Sequence, residues 1–232
     1  MLPTTRTITI HGRSFTVRDD PEDREFWDLV TPGKWEPQTF RVFDRFLDAE
    51  HSYIDVGAWI GPTVLYGAQL AKRCYALEPD PLAFGKLLQN LALNPGLAVS
   101  VAQTCLERYS GTVRLGNRSR LGDSVSSRLF ANADVTWESS SVTIEDYVRQ
   151  FDIRDCSFIK MDIEGGEFEL IPAMTTWLRE NRPTLYLSVH PQFVPDGAEQ
   201  VAKVRDVLSF YRHRYVLPSG EILATEMDVD DF

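Results

Sequence analysis

The sequence predicts an α/β fold of the Rossmann-like type, in which helices cover both faces of a seven-stranded, mostly parallel sheet. From residue 52 onward, short apolar strands alternate with amphipathic helices. That order produces parallel strands joined by crossover helices. Near the end of the sequence, two short apolar segments, Arg214–Leu217 and Ile222–Ala224, flank Pro218-Ser219-Gly220. This pattern is typical of an antiparallel hairpin, which we expect to complete the sheet.

Residues 1–50 are expected to form a cap on this sheet. Apolar residues around Ile8 and Phe15 alternate with polar ones on either side of a His-Gly-Arg turn, which predicts a small hairpin outside the main sheet. Two helices are predicted after it, at about 20–30 and about 37–49. In the second, phenylalanine and leucine recur at three- and four-residue spacing, so one face is apolar.

Residues 51–232 are expected to form the Rossmann-like domain, with no linker that would divide it. Its parallel strands are predicted at Ser52–Val56, Arg73–Leu77, Leu97–Ala102, Ser157–Met161 and Thr184–Val189. Its helices are predicted at about 61–71, 81–93, 166–180 and 197–210. An insertion at about 103–142 is expected to hold one extra strand, around Thr112–Leu115, and a polar loop from Gly116 to Ser141.

The composition limits the classes of partner and the compartment. Lys and Arg total 24 against 34 Asp and Glu, a formal charge of −10, which argues against a broad grip on nucleic acid. Three cysteines lack a Cys-x-x-Cys spacing and fit free thiols in a reducing compartment. Signal-peptide and membrane-spanning patterns are missing from the sequence, so we expect a cytoplasmic protein without membrane contact. Its oligomeric state is left open.

The turn after the first parallel strand is the first candidate binding element. Gly57 permits a sharp turn at the carboxyl edge of the sheet, and Gly61 lets the next helix approach closely. Trp59 stands where a dinucleotide-binding fingerprint has its middle glycine, so the approach of a pyrophosphate is obstructed. The turn therefore suits a nucleoside ligand without phosphates.

Two carboxylates accompany this turn. Glu78 ends the second strand, 23 positions after Asp55, which is where an acidic residue accepts hydrogen bonds from ribose hydroxyls. Asp55 either faces a cationic group of the ligand or holds the turn by bonding backbone amides. Together these residues predict a nucleoside-cofactor site at the tips of two neighbouring strands.

Several motifs in the sequence resemble those of the FkbM family of methyltransferases. The most specific is Lys-x-Asp-x-Glu-Gly-x-Glu at 160–167, and the others are Trp35-Glu36-Pro37, Ile54–Gly61, Ala76–Pro81 and Asn90–Asn94. The resemblance implies a class I methyltransferase fold, S-adenosylmethionine as cofactor, and O-methylation of a small-molecule or glycan acceptor such as a sugar, glycoside or natural product.

The resemblance also implies cofactor contacts. Glu36 is expected to fold over the cofactor and bond its methionyl ammonium, and Ala58 and Pro79 lie within the matching motifs. Adenine is expected at Gln103 to Leu106, which offer polar groups and no aromatic ring.

Methylation of a hydroxyl requires removal of its proton, so a base is expected near the cofactor. Lys160, Asp162 and Glu164 alternate and would share a face while the strand remains extended. Asp162 is expected to reach the cofactor or the acceptor. His190, at the end of the fifth parallel strand, is the favoured general base, with Asp162 or Glu164 as the alternative. A divalent cation held by these three residues is not favoured, because no local spacing enforces it.

The polar loop is interpreted as an acceptor-binding lid. In this hypothesis Arg118 and Arg120 pair with a carboxylate or phosphate of the acceptor, and Trp137 packs on a sugar ring. The simpler interpretation is a solvated surface loop. Two functions of other classes stay open, an NAD-linked oxidoreductase and a catalytically silent cofactor-binding module.

Overall fold

A computed structural model describes residues 4–31, 33–117, 120–124 and 126–229. The N-terminal hairpin is present as predicted: β1 (Thr5–Ile10) and β2 (Arg13–Arg18) form an antiparallel sheet of their own. Two helices follow, α1 (Arg24–Val30) and α2 (Pro37–Phe46), both shorter than predicted. The second ends early because Leu47 adopts an extended conformation.

The remaining strands and helices follow in chain order. The strands are β3 (Ser52–Val56), β4 (Arg73–Leu77), β5 (Val99–Ala102), β6 (Cys105–Leu106), β7 (Gly111–Asn117), β8 (Ser126–Ser127), β9 (Val135–Val142), β10 (Cys156–Met161), β11 (Thr184–Leu187), β12 (His213–Val216) and β13 (Ile222–Thr225). The helices are α3 (Pro62–Gly67), α4 (Pro81–Ala92), α5 (Ile144–Gln150), α6 (Glu167–Ala173), α7 (Thr175–Asn181) and α8 (Gly197–Val207).

The central sheet has seven strands in the order β12-β13-β11-β10-β3-β4-β5. Strands β11, β10, β3, β4 and β5 are parallel, and β13 runs antiparallel to both of its neighbours. This confirms the predicted mostly parallel sheet and its C-terminal hairpin. The chain enters the sheet at β3 and builds outward in both directions, so β3 and β10 flank the switch point where open α/β sheets bind ligands.

Two helical predictions need correction. The helix expected at 166–180 is two helices, α6 and α7, which meet at Met174. Pro172 lies inside α6 and has no N–H to donate to an earlier carbonyl, which weakens the helix there. Helix α5, at 144–150, was not predicted; the Thr143 side chain caps it by accepting a hydrogen bond from the Asp146 N–H.

The insertion at 103–142 also differs from the prediction of one strand and a long loop. It contains a second sheet in the order β6-β9-β7-β8. Strand β9 lies in the expected loop and pairs with all of β7, from Gly111↔Ser141 to Asn117↔Val135. Its sequence, VTWESSSV, is mostly polar, so its pairing with β7 defines the strand where apolar alternation does not.

Asp80 attaches this second sheet to the main domain. One carboxylate oxygen caps α4 by accepting from the backbone N–H groups of Leu82 and Ala83, at 2.8 and 3.0 Å. The other accepts from the Asn117 side-chain amide and the Gly122 N–H, both at 2.7 Å. The side chain is fully buried, so the insertion is fixed beside the end of β4.

Apolar side chains pack on both faces of the central sheet. On one face, Tyr53 and Phe158 pack with Phe40 and Phe43 of α2, in a cluster that also includes the N-terminal hairpin. Asn94, two residues after α4, holds that hairpin against the end of the helix, because its side chain forms two hydrogen bonds with the backbone of Thr16. The cap therefore shares a core with the sheet. None of the helices in the described part of the chain is both long and apolar enough to cross a bilayer.

Candidate active site

The turn after β3 is closed by contacts that only glycine permits. Gly57 has φ +86°, and a Cβ built there would lie 1.9 Å from the backbone oxygen of Asp162. The N–H groups of Gly57 and Ala58 both donate to the Leu77 carbonyl, at 3.1 and 3.0 Å. Gly61, with φ +97°, starts α3 against Leu87. The ends of β3, β4 and β10 therefore meet tightly at Gly57, as the sequence predicted for a ligand-binding edge.

Glu78 binds this turn through its two carboxylate oxygens. One accepts from the Trp59 N–H at 2.7 Å and the other from the Asp80 N–H at 2.8 Å. The residue is 4% exposed, and burial raises its pKa to about 7. Because each oxygen accepts only one of these bonds, lone pairs remain toward a small cavity that Glu78 lines with Gly57 and Pro79.

Asp55 lies beneath the site. It is fully buried, and neither carboxylate oxygen has a hydrogen-bond partner within the described ranges. The expectation that it bonds the backbone amides of the turn is therefore wrong, since the Leu77 carbonyl and Glu78 take those amides. Burial raises the pKa of Asp55, and the charge of Lys160, whose Nζ is 3.8 Å away, opposes that change.

Lys160 lies between two acidic side chains. Its Nζ is also 3.5 Å from Asp162 Oδ2, and its side chain is 4% exposed. Burial alone would lower the pKa of Lys160, but the charges of Asp162 and Asp55 outweigh it and raise the pKa. The ammonium is therefore retained, and it positions Asp162 at the end of β10.

The largest cavity described at this edge, the main cavity, has a volume of about 180 Å³ and is lined by two unlike groups of residues. One wall is aromatic: the Phe26 ring lies 5.2 Å from that of Trp35 and 4.5 Å from that of Trp59, centroid to centroid. The other wall carries charged and titratable side chains, namely Glu36, Lys160, Asp162, Glu164 and His190. Between them lie Gly57, Ala58, Pro62, Thr63 and Ser124.

His190 is surrounded by three carboxylates. Its Nε2 is 3.7 Å from Asp162 Oδ1 and 3.4 Å from Glu164 Oε2, and its Nδ1 is 3.5 Å from Glu167 Oε1. Burial opposes the positive charge of the ring, but the interactions with Glu167, Asp162 and Glu164 outweigh burial and raise the pKa of His190 to about 9. The ring is then a cation at neutral pH, a charge state that does not fit the expected general base.

Glu164 and Glu36 hold their protons more tightly than free carboxyl groups do, so they tend toward the neutral form. Burial raises the pKa of Glu164 to about 7 against the opposing charge of His190. The pKa of Glu36 also rises to about 7, because of burial and the nearby charge of Asp162. Of the residues predicted as bases, Glu164 thus has the pKa suited to accepting a proton near neutral pH.

Backbone strain is concentrated at the same cavity. Glu36, Trp59 and Glu164 have φ values of 40°, 48° and 55°. They are three of the seven non-glycine residues with positive φ in the described ranges, and all three line the main cavity. Such conformations cost free energy and persist where the surroundings impose them, often at functional sites. Because β10 ends at Met161 and Glu164 is left-handed, the expected common face of residues 160, 162 and 164 does not extend to Glu164.

Glu167 holds the turn between β10 and α6. It begins α6, and its two oxygens accept from the N–H groups of Ile163 and Gly165, both at 2.8 Å. It is fully buried. Its further contact with His190 was not predicted.

Of the residues expected to contact adenine, Gln103 to Leu106, the first lies apart from the other three. A narrow slot next to Gly57 is lined by Val56, Leu77, Pro79, Thr104, Cys105, Leu106 and Ile163, among others. Gln103 is exposed and is not among the described residues that line this slot. Its carbonyl accepts from the Ser140 hydroxyl at 3.1 Å, which turns it toward β9. Thr104 to Leu106 are therefore the candidates at this position.

The residues proposed for the acceptor lid do not gather at the main cavity. Arg118 lies outside the described residues. Arg120 is exposed, and neither it nor Trp137 is among the described residues that line the cavity. The Trp137 indole N–H donates to the Pro79 carbonyl at 3.2 Å, on the cofactor side. The corresponding indole of Trp59 donates to the Gly122 carbonyl at 3.0 Å, and Ser124 of the same insertion does reach the cavity.

The sequence alone did not identify Phe26, Trp35 and Ser124 as site residues. All three belong to the cap or the insertion, and all three line the main cavity. Trp35 was noted only as part of a motif with Glu36. No periodicity or spacing marks Phe26 or Ser124, because their position depends on how distant segments pack.

Comparisons with known proteins point to one family. The model of the methyltransferase FkbM domain matches residues 55–216. The crystal structure of methyltransferase FkbM from Methylobacillus flagellatus KT is similar in fold, with a TM-score of 0.52 and 16% identity. The similarity covers 89% of this chain and 55% of that one, so the chain spans about half the length of that structure.

Two further structures are less similar. An rRNA methylase from Streptococcus thermophilus has a TM-score of 0.47 and 13% identity, covering 80% of this chain and 91% of that chain. A Streptococcus mutans protein in complex with SAH has a TM-score of 0.49 and 11% identity, covering 81% of this chain and 93% of that chain. No curated protein sequence matches this chain.

Proposed function

The chain belongs to the FkbM family of methyltransferases, a class of enzyme that depends on S-adenosylmethionine, and we propose that it methylates a hydroxyl group of a small molecule. The acceptor is a sugar, a glycoside or another hydroxylated natural product. The observation that carries this proposal is that Asp162, Glu164 and His190 lie together on the wall of the main cavity, beside the Gly57 turn.

The proposed cofactor position follows the three cavities that share Gly57. Adenine occupies the slot beside Thr104 to Leu106, and the ribose hydroxyls donate to Glu78. The methionyl end then enters the main cavity, where Glu36 accepts from its ammonium. This leaves the methyl group between the aromatic wall and the acidic wall.

In the proposed reaction, the acceptor oxygen attacks the methyl carbon in line with the bond to sulfur. The new C–O bond forms while the C–S bond breaks, and the electron pair of the C–S bond stays on sulfur. The hydroxyl proton goes to Glu164, whose raised pKa of about 7 suits this transfer. The aromatic rings of Phe26 and Trp35 would pack against the acceptor and exclude water.

The proposal is tested by incubating the protein with S-adenosylmethionine labelled in its methyl group and a cell extract separated into small-molecule, RNA and protein fractions. We expect label in the small-molecule fraction, in a product stable to mild base as an ether is. Glu164→Gln should abolish most transfer, whereas Glu199→Gln, at an exposed position on α8, should not change it.

Three other outcomes would contradict the proposal, each in its own way. Label that becomes soluble only after nuclease treatment of the RNA fraction would identify an RNA acceptor. Tight cofactor binding with no labelled fraction would favour a silent module. Calorimetric binding of NAD in place of S-adenosylmethionine would favour an oxidoreductase.

A further inference from the structure

Asp162, Glu164 and His190 direct three potential metal ligands toward one point in the main cavity. Their ligating atoms all lie within 4.8 Å of one another. His190 Nε2 is 3.7 Å from Asp162 Oδ1 and 3.4 Å from Glu164 Oε2, both beyond ordinary hydrogen-bond lengths. Adjacent ligands around a six-coordinate Mg²⁺ stand about 3 Å apart, given metal–oxygen distances of about 2.1 Å. The two distances from His190 Nε2 are therefore about half an ångström wider than a small divalent cation requires, so the three side chains would draw together around it.

The residues behind these ligands orient them, as the outer-shell residues of a metal site orient its ligands. Glu167 Oε1 is 3.5 Å from His190 Nδ1, so Nε2 faces the cavity. Glu167 is itself fixed by the Ile163 and Gly165 N–H groups. A carboxylate behind a metal-binding histidine is the common arrangement in proteins, because it orients the ring.

Asp162 is oriented in a similar way. Lys160 Nζ lies 3.5 Å from its Oδ2. Its other oxygen, Oδ1, is buried and has no hydrogen-bond partner in the part of the chain that the structure describes. A buried carboxylate oxygen without a partner is costly, and a cation in front of it would remove that cost.

The charge balance of the region also favours a cation. Acidic groups outnumber basic ones here: the carboxyl groups are Glu36, Asp55, Asp162, Glu164 and Glu167, and the basic groups are Lys160 and His190. S-adenosylmethionine carries one net positive charge, from its sulfonium and ammonium groups less its carboxylate. If all of these groups were ionised, two negative charges would remain in excess with the cofactor bound; burial opposes that state, and a cation in front of the carboxyl groups would favour it.

We propose that Asp162, Glu164 and His190 bind one divalent cation of the Mg²⁺ or Mn²⁺ type, and that this cation holds the acceptor hydroxyl. The mixed carboxylate and imidazole set suits such a cation once the cation has displaced the proton from His190 Nε2, and three protein ligands leave three positions open in an octahedral site. An acceptor with two adjacent oxygen atoms, such as a vicinal diol of a sugar, would fill two of them. Coordination would lower the pKa of the hydroxyl, and Glu164, which binds the cation through one carboxylate oxygen, would accept the hydroxyl proton on the other. The second part of this proposal rests on the proposed function.

The sequence did not favour this site because its ligands come from two separate segments. Asp162 and Glu164 follow β10, whereas His190 follows β11. The left-handed conformation of Glu164, φ 55°, turns its side chain toward His190. Neither the closeness of these two segments nor the turn at Glu164 is apparent without the fold.

The cation is tested by titrating the protein, freed of metal by a chelator, with Mn²⁺ and measuring free Mn²⁺ by electron paramagnetic resonance. We expect saturable binding of one Mn²⁺ per chain. His190→Ala and Asp162→Asn should each weaken it at least tenfold, and Glu167→Gln by about tenfold, as for outer-shell partners in other metal sites. His213→Ala removes a histidine that is 2.8 Å from Asp228 on the surface, and should leave binding unchanged.

Circular dichroism and thermal unfolding establish that each variant is folded, and Glu164→Gln replaces any that is not. Absence of saturable Mn²⁺ binding to the unaltered protein, or equal binding by His190→Ala, would overturn the site. This titration contains neither cofactor nor acceptor, so its result is independent of whether methyl transfer occurs. If Mn²⁺ binds but the chelated enzyme methylates its acceptor at an unchanged rate, the role in holding the hydroxyl is wrong while the site stands.

Discussion

The cofactor half and the acceptor half of the site differ in how their polar groups are satisfied. At the cofactor half, both carboxylate oxygens of Glu78 and both of Asp80 accept hydrogen bonds from backbone N–H groups. At the acceptor half, Asp162 Oδ1 is buried without a hydrogen-bond partner among the described residues, and His190 Nε2 lies 3.7 and 3.4 Å from Asp162 and Glu164, beyond ordinary hydrogen-bond lengths. At the cofactor half these hydrogen bonds already fix the backbone around the turn, whereas at the acceptor half the corresponding groups are left for a ligand to satisfy.

The largest effect is expected from Gly57→Ala, which tests the rigidity of the cofactor half. The added Cβ would lie 1.9 Å from the Asp162 backbone oxygen, at a φ of +86°. Neither the oxygen nor the backbone conformation can adjust cheaply, and such strain costs about 1–3 kcal/mol before the clash is counted. We expect affinity for S-adenosylmethionine to fall by roughly 100-fold or more, measured by titration calorimetry.

Gly85→Ala is the matched control for this substitution. Gly85 lies inside α4, and a Cβ there meets nothing within 4 Å. Because alanine is the better helix former, this variant should raise the free energy of unfolding by about 0.5–1 kcal/mol without changing cofactor affinity. If Gly57→Ala bound S-adenosylmethionine with normal affinity, the turn would be less rigid than the comparison of the two halves requires.

A smaller effect is expected from Phe26→Ala, which tests the acceptor half. Phe26 packs edge-on against both Trp35 and Trp59 on the cavity wall. Loss of one ring contact with a bound acceptor is worth about 0.5–1.5 kcal/mol. The KM for the acceptor found by the labelling experiment should therefore rise by roughly 2- to 12-fold, while the Kd for S-adenosylmethionine should change little.

Leu29→Ala serves as the control on the same helix, because Leu29 is 49% exposed and is not among the described residues that line the cavity. It should leave both constants unchanged. If Phe26→Ala weakens cofactor and acceptor binding equally, the aromatic wall belongs to both halves and the division between them is not valid.

The same division explains what could be predicted from the sequence. Gly57, Glu78 and the strands that carry them lie within one short β-α-β unit, where turn chemistry and hydrophobic pattern act locally. The seven-stranded sheet and its terminal hairpin were predicted for the same reason. The positions of these groups depend on a few neighbouring residues, which a sequence displays directly.

The acceptor half depends on packing between distant segments. Phe26 reaches the cavity because the cap shares a core with the sheet, and Ser124 because Asp80 fixes the insertion by its bond to Gly122. Strand β9 has a polar sequence and was predicted as loop. The charge of His190 likewise follows from three carboxylates that the fold brings together. None of these contacts has a local signature.

The smallest effect is expected from Trp137→Phe, which decides the half to which this residue belongs. The sequence suggested that Trp137 packs on an acceptor sugar, but its indole N–H donates to the Pro79 carbonyl at 3.2 Å. Pro79 lines two of the cavities assigned to the cofactor. Loss of one hydrogen bond is worth about 0.5–1.5 kcal/mol, and only part of this would reach the cofactor. We expect the Kd for S-adenosylmethionine to rise by about threefold, with the acceptor KM unchanged. A rise in the acceptor KM alone would instead return Trp137 to the acceptor half, and the boundary between the halves would then run through the insertion.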